Sequence, residues 1–124
     1  KKLKQLLTIC NSNNIQLSVF INPRKKIIEI AKSLGFHAVE LHTGPLDREK
    51  VNKLDIKKIN EMINYSYKKN LIVNIGHGLN FSNIKYIKNR HKVDTVHIGH
   101  FIISEAIFLS LPKVIKIFKN LIKL

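Results

Sequence analysis

Apolar positions along the chain repeat with two periods, one helical and one of strands. Leu3, Leu6, Leu7 and Cys10 fall at the i, i+3, i+4, i+7 spacing of an amphipathic helix, which Asn11 to Asn14 interrupt. Leu17 to Ile21 reads as a strand. Pro23 suits the first turn of a helix that buries Ile27, Ile28, Ile30, Ala31 and Leu34, with Gly35 as its stop. Ala38 to His42 form a second strand, and Thr43-Gly44-Pro45 turn the chain out of it. Leu46 to Leu54 are charged and aperiodic, reading as a loop. Ile56, Ile59, Met62, Ile63 and Tyr67 return to helical spacing up to about Asn70. A third strand, Leu71 to Ile75, precedes a short helix capped by Ser82 that turns Ile84 and Ile87 inward. Thr95 to Ile98 make a fourth strand. A helix over Phe101 to Leu111 follows, and Pro112 restarts a last amphipathic helix carrying Val114, Ile115, Phe118, Leu121 and Ile122.

Successive side chains on a strand face opposite ways, so each strand sorts into two rows. One row, Leu17, Val19, Ile21; Val39, Leu41; Leu71, Val73, Ile75; Val96, Ile98, is aliphatic throughout and predicts a helix-covered face. The other row, Ser18, Phe20, Asn22; Ala38, Glu40, His42; Ile72, Asn74, Gly76; Thr95, His97, Gly99, grows polar toward each strand's C-terminal end. A sheet covered by helices on both sides is apolar on both. A (β/α)8 barrel has this asymmetry, with helices outside and an active site at the C-terminal rim. The expected class is therefore α/β: four parallel strand-helix units after one leading helix, half of a barrel that normally takes about 250 residues. The 124 residues form a single partial domain.

Composition adds three constraints. The net charge of +14, from 22 basic and 8 acidic residues, raises nucleic acid as a partner. Arginine, the side chain of bidentate base and phosphate recognition, occurs only at positions 24, 48 and 90, and the lysine-, isoleucine- and asparagine-rich mix reads more simply as surface drift. The lone Cys10 forms no internal disulfide and fits a reducing, cytoplasmic setting. No apolar run reaches the roughly 18 residues of a membrane span. Because the chain starts at Lys1 and its one methionine is Met62, it is expected to be the tail of a longer polypeptide.

The candidate chemistry gathers at the strand ends. His77 stands between Gly76 and Gly78 after the third strand, where an imidazole gives and takes protons at neutral pH. Glu40, between Val39 and Leu41, needs a cation, a proton or a substrate group, and either supports the rim in a pair with histidine or lysine or acts in the cavity. Ile75-Gly76-His77 recurs as Ile98-Gly99-His100, where the second copy runs into a helix whose free amides suit phosphate. His42, His77, His97 and His100 as metal ligands is a weaker reading, since no compact ligand spacing is present. His37 and His91 fall at the opposite rim as surface residues.

Leu17 to Pro23 (LSVFINP), Val39 to Pro45 (VELHTGP), Val73 to Asn80 (VNIGHGLN) and His97 to Leu109 (HIGHFIISEAIFL) together resemble the C-terminal half of the pyridoxine 5'-phosphate synthase family. The resemblance implies a cytoplasmic, homo-oligomeric TIM-barrel enzyme of vitamin B6 synthesis. Such an enzyme condenses 3-amino-2-oxopropyl phosphate with 1-deoxy-D-xylulose 5-phosphate, with no metal or organic cofactor, nucleic acid or membrane involved. Carried over by motif, His77 matches the proton donor, Glu40 a carboxylate in the cavity, Gly78 a substrate-contacting glycine, and Gly99 with His100 the phosphate-binding pair. Asn22, Phe101 and Glu105 depart from the family pattern, and its N-terminal catalytic residues lie outside this sequence. Rival readings are another phosphate-binding TIM-barrel enzyme and a basic nucleic-acid-binding module.

Overall fold

The computed structural model describes residues 2–122. In chain order the elements are α1 (Lys2–Ser12), β1 (Ser18–Ile21), α2 (Lys25–Leu34), β2 (Ala38–His42), α3 (Lys53–Lys68), β3 (Ile72–Gly76), β4 (Thr95–His97), α4 (His100–Leu109) and α5 (Leu111–Ile122). The four strands form one parallel sheet in the order β1-β2-β3-β4, the arrangement of half a TIM barrel.

The two-row reading of the strands holds for the aliphatic row and in part for the other. Val39, Leu41, Val73 and Ile75 are buried under the helices together with Ile28, Ile59, Met62 and Ile63. On the opposite face Ser18, Phe20, Thr95 and His97 are exposed and Glu40 and His42 half-buried, whereas Ala38, Asn74 and Gly76 in the central strands are buried. Because all four strands run the same way, their C-terminal ends share one rim, and the register aligns His42, Gly76 and His97 across it.

Local structure departs from the expected elements in several places. The third unit has no α-helix: residues 84–86 and 90–92 form single 3-10 turns. Ser82 is not the cap there: Asn83 precedes the first turn, with no side-chain cap hydrogen bond, and Oδ1 of Asn80 accepts from the amides of Ser82 and Asn83 just before it. Ile84 and Ile87 are nonetheless buried, as their spacing required. Pro23 precedes the cap residue Arg24 instead of opening α2, whereas Gly35 ends that helix at φ 91°, the left-handed conformation. Helix α3 starts at Lys53, three residues earlier than the apolar period suggests, because the Asn52 side chain caps it by accepting from the Leu54 amide.

Not every apolar position on a helical stripe is covered. Leu3, Leu6, Ile30, Tyr67 and Ile115 are exposed, so α1 buries only Leu7 and Cys10 on its apolar side. Leu46, expected in a loop, is instead fully enclosed within a 3-10 turn. The break between α4 and α5 falls at Ser110, at φ 70°, with Pro112 in the first turn beyond it. His91 is exposed, while His37 is half-buried and accepts from the Leu17 amide through Nδ1 at 3.4 Å.

Candidate active site

At the C-terminal rim the segments after β2, β3 and β4 enclose a cleft of about 970 Å³. Glu40, His77, Gly78, Gly99 and His100, the five residues singled out from the sequence, all line it. His97, Asp47 and Phe20 line it as well.

His77 follows the last residue of β3 and has φ 73°, a left-handed backbone that costs a non-glycine residue about 1–2 kcal/mol. Such strain persists only where neighbours over-determine it. Thr43 supplies much of that constraint. Fully buried, it places its hydroxyl 2.7 Å from both the Gly76 and His77 carbonyls, and its amide donates to the Gly76 carbonyl. On the other side Gly78 also has a positive φ, and a Cβ there would lie 2.8 Å from Cβ of Asp47. Asn83 donates to the Gly78 carbonyl at 2.7 Å. The imidazole itself is exposed to the cleft.

The ring of His77 stacks on His42, with centroids 4.8 Å apart and planes at 27°. Phe20 meets His42 edge-on at 5.3 Å. Partial burial first, and then the charge of His77, hold the His42 imidazole below its ordinary pKa. Gly44 leaves space for this pair, since a Cβ there would come 2.6 Å from Cε1 of His42 and 3.0 Å from Cδ2 of His77.

Glu40 takes its partner from two strands away. Its Oε2 lies 2.8 Å from Nδ1 of His97, and the pair crosses above Gly76. The four histidines considered as metal ligands therefore divide between separate contacts, and among the described residues no group of three or more metal-ligating side chains gathers.

Gly99 caps the N-terminus of α4 with no side-chain hydrogen bond, and a Cβ on it would meet nothing within 4 Å. Packing within the chain gives no reason for glycine at this position. The cleft lining includes no lysine or arginine, so the charge excess that drew attention in the sequence lies elsewhere. An anion bound here would be held by backbone amides and imidazoles. Asp47 escaped the sequence reading because it sits in a charged, aperiodic segment; only its contacts with Gly78 and with the Asn80 side-chain amide, at 3.2 Å, mark it.

A model of the family described as "Pyridoxal phosphate biosynthesis protein PdxJ" matches residues 1–124. The chain belongs to this family. Among similar curated proteins are three named pyridoxine 5'-phosphate synthase. That of Blochmanniella pennsylvanica is 36% identical over 98% of this chain and 51% of its own length. The protein of Prochlorococcus marinus strain MIT 9515 is 34% identical over 97% and 51%, and that of Pelagibacter ubique 38% identical over 98% and 52%. The chain thus spans about half the length of the curated PdxJ relatives it matches. Among its described residues no helix is long and apolar enough to cross a membrane.

Proposed function

We propose that this chain supplies the C-terminal half of a pyridoxine 5'-phosphate synthase, condensing 3-amino-2-oxopropyl phosphate with 1-deoxy-D-xylulose 5-phosphate and releasing phosphate and water. One observation carries the reading: the residues that the family's motifs single out converge on one cleft at the C-terminal rim. Both substrates are phosphorylated, and the working enzyme is a cytoplasmic homo-oligomer.

His77 is the general acid. Ring closure requires hydroxyl groups to depart as water, and the imidazole delivers the proton that makes them leaving groups. Its glycine-flanked, strained turn projects the ring into the cleft. Glu40 faces the same space as the counter-charge for cationic nitrogen intermediates formed from the substrate amine, and Gly78 lets substrate approach the main chain. A substrate phosphate sits on the first amides of α4, where Gly99 leaves the approach open and His100 adds a donor.

The test joins this chain to the N-terminal half of a PdxJ relative and supplies both phosphorylated substrates. Formation of pyridoxine 5'-phosphate, with inorganic phosphate released in step, is the expected result. A correctly assembled enzyme that binds neither substrate would overturn the assignment.

A further inference from the structure

We infer that His97 is a positioning residue for Glu40, and that Gly76 is the opening through which the two meet. The inference rests on the synthase reading above and adds to it a residue outside the five assigned roles.

Three adjacent strands build the contact. In the register Glu40 aligns with Asn74 and Thr95, while His97 aligns with Gly76 and His42 one step nearer the rim. Glu40 and His97 are therefore separated by β3, and their contact passes over position 76. A Cβ at Gly76 would collide with Oε1 of Glu40 and lie 3.1 Å from Cβ of His97. Its absence lets Oε2 of Glu40 lie 2.8 Å from Nδ1 of His97.

Nδ1 donates to the carboxylate, which directs the other ring nitrogen, Nε2, away from the pair. A carboxylate on a half-open sheet face, with its side chain 22% exposed, otherwise has several rotamers available to it. A single charge-assisted hydrogen bond selects one of them. The geometry makes the carboxylate the group that acts on substrate and His97 the group that aims it.

Three substitutions in the joined, complete enzyme test this role. His97→Leu removes the donor, His97→Asn places an amide nitrogen close to the position of Nδ1, and His97→Gln places one nearer to that of Nε2. His97→Leu should lower kcat by about 10²-fold with KM changed less than about threefold, the pattern of an interaction used in the transition state. His97→Asn should recover at least about tenfold of that loss and His97→Gln should not. In a Glu40→Gln background His97→Leu should cost almost nothing further, since the residue acts only through Glu40. Equal activity of the Asn and Gln variants, or full additivity with Glu40→Gln, overturns the role even if the Leu variant fails to fold. An active parent enzyme with an unimpaired His97→Leu variant overturns this inference alone, whereas an inactive parent enzyme overturns the synthase reading and this role with it.

Discussion

His42 and His77 stack with ring centroids 4.8 Å apart, two titratable groups from neighbouring strand ends held face to face. Burial first, and then the charge of its neighbour, lowers the pKa of His42. Of the two rings, His77 is the one exposed to the cleft.

This arrangement makes stability depend on pH in a definite direction. A histidine whose folded pKa lies below its unfolded value favours the unfolded state as it protonates. The contribution of His42 is complete above the unfolded value of 6.5 and is lost as pH falls through the lower folded pKa. Urea midpoints measured at about pH 7.5 and about pH 5.5 should drop on acidification, and His42→Phe should flatten the drop. An unchanged slope in that variant would assign the pH dependence to other groups.

The second prediction concerns His77. Asparagine tolerates its left-handed backbone better than alanine does, so His77→Asn removes the titratable ring with least disturbance of the turn. In the complete enzyme kcat should fall by about 10²–10⁴-fold, the usual worth of a general acid. Stability should change by no more than about 0.5 kcal/mol, because the side chain is exposed. Turnover close to that of the parent would remove His77 from the mechanism.

At Gly78 both steric and backbone arguments point the same way. Its φ of 70° and the 2.8 Å approach to Asp47 make Gly78→Ala destabilising by about 1–3 kcal/mol, read as a lower urea midpoint at unchanged slope. Gly99→Ala is the contrasting case, since a Cβ there meets no atom of the chain. It should leave the midpoint unchanged while weakening inorganic phosphate binding at least about tenfold in the complete enzyme, as a methyl group blocks approach to the α4 amides. Undiminished phosphate affinity would move the phosphate site away from Gly99.

Much of this architecture is legible in the amino-acid order because the strands are parallel and carry an aliphatic row on the face that the helices cover. That geometry places the buried Val39, Leu41, Val73 and Ile75 at every second position of β2 and β3, and it makes the motif residues at strand ends share a rim. What stays hidden depends on neighbours that are distant in sequence. The partner of Glu40 is His97 rather than the nearby His42, because Gly76 opens a path across β3 that only the strand register reveals. Thr43 looks like a turn residue until its hydroxyl is found beside the carbonyls of Gly76 and His77. The third unit loses its expected helix because Asn80 and Asn83 hydrogen-bond each other's backbone, and short polar side chains of this kind compete with helical hydrogen bonds.

The outer surface supports a final prediction. Ile103, Ile107 and Phe108 on α4 are 62%, 78% and 83% exposed, an apolar surface with nothing over it among the described residues. At the ends of the sheet β1 and β4 each have one strand neighbour, so each presents an unpaired edge. Apolar area of this kind drives association, and open edges template it. The chain on its own should therefore form concentration-dependent oligomers, seen by sedimentation velocity as a weight-average mass that rises across the micromolar range. Ile107→Lys with Phe108→Glu should lower that mass without changing the far-ultraviolet circular dichroism, because neither side chain belongs to the core. Addition of the N-terminal half of a PdxJ relative should compete for the same surfaces and convert the distribution to defined stoichiometry. A monodisperse monomer at all concentrations would mean that the exposed residues of α4 and the two edge strands do not attract one another.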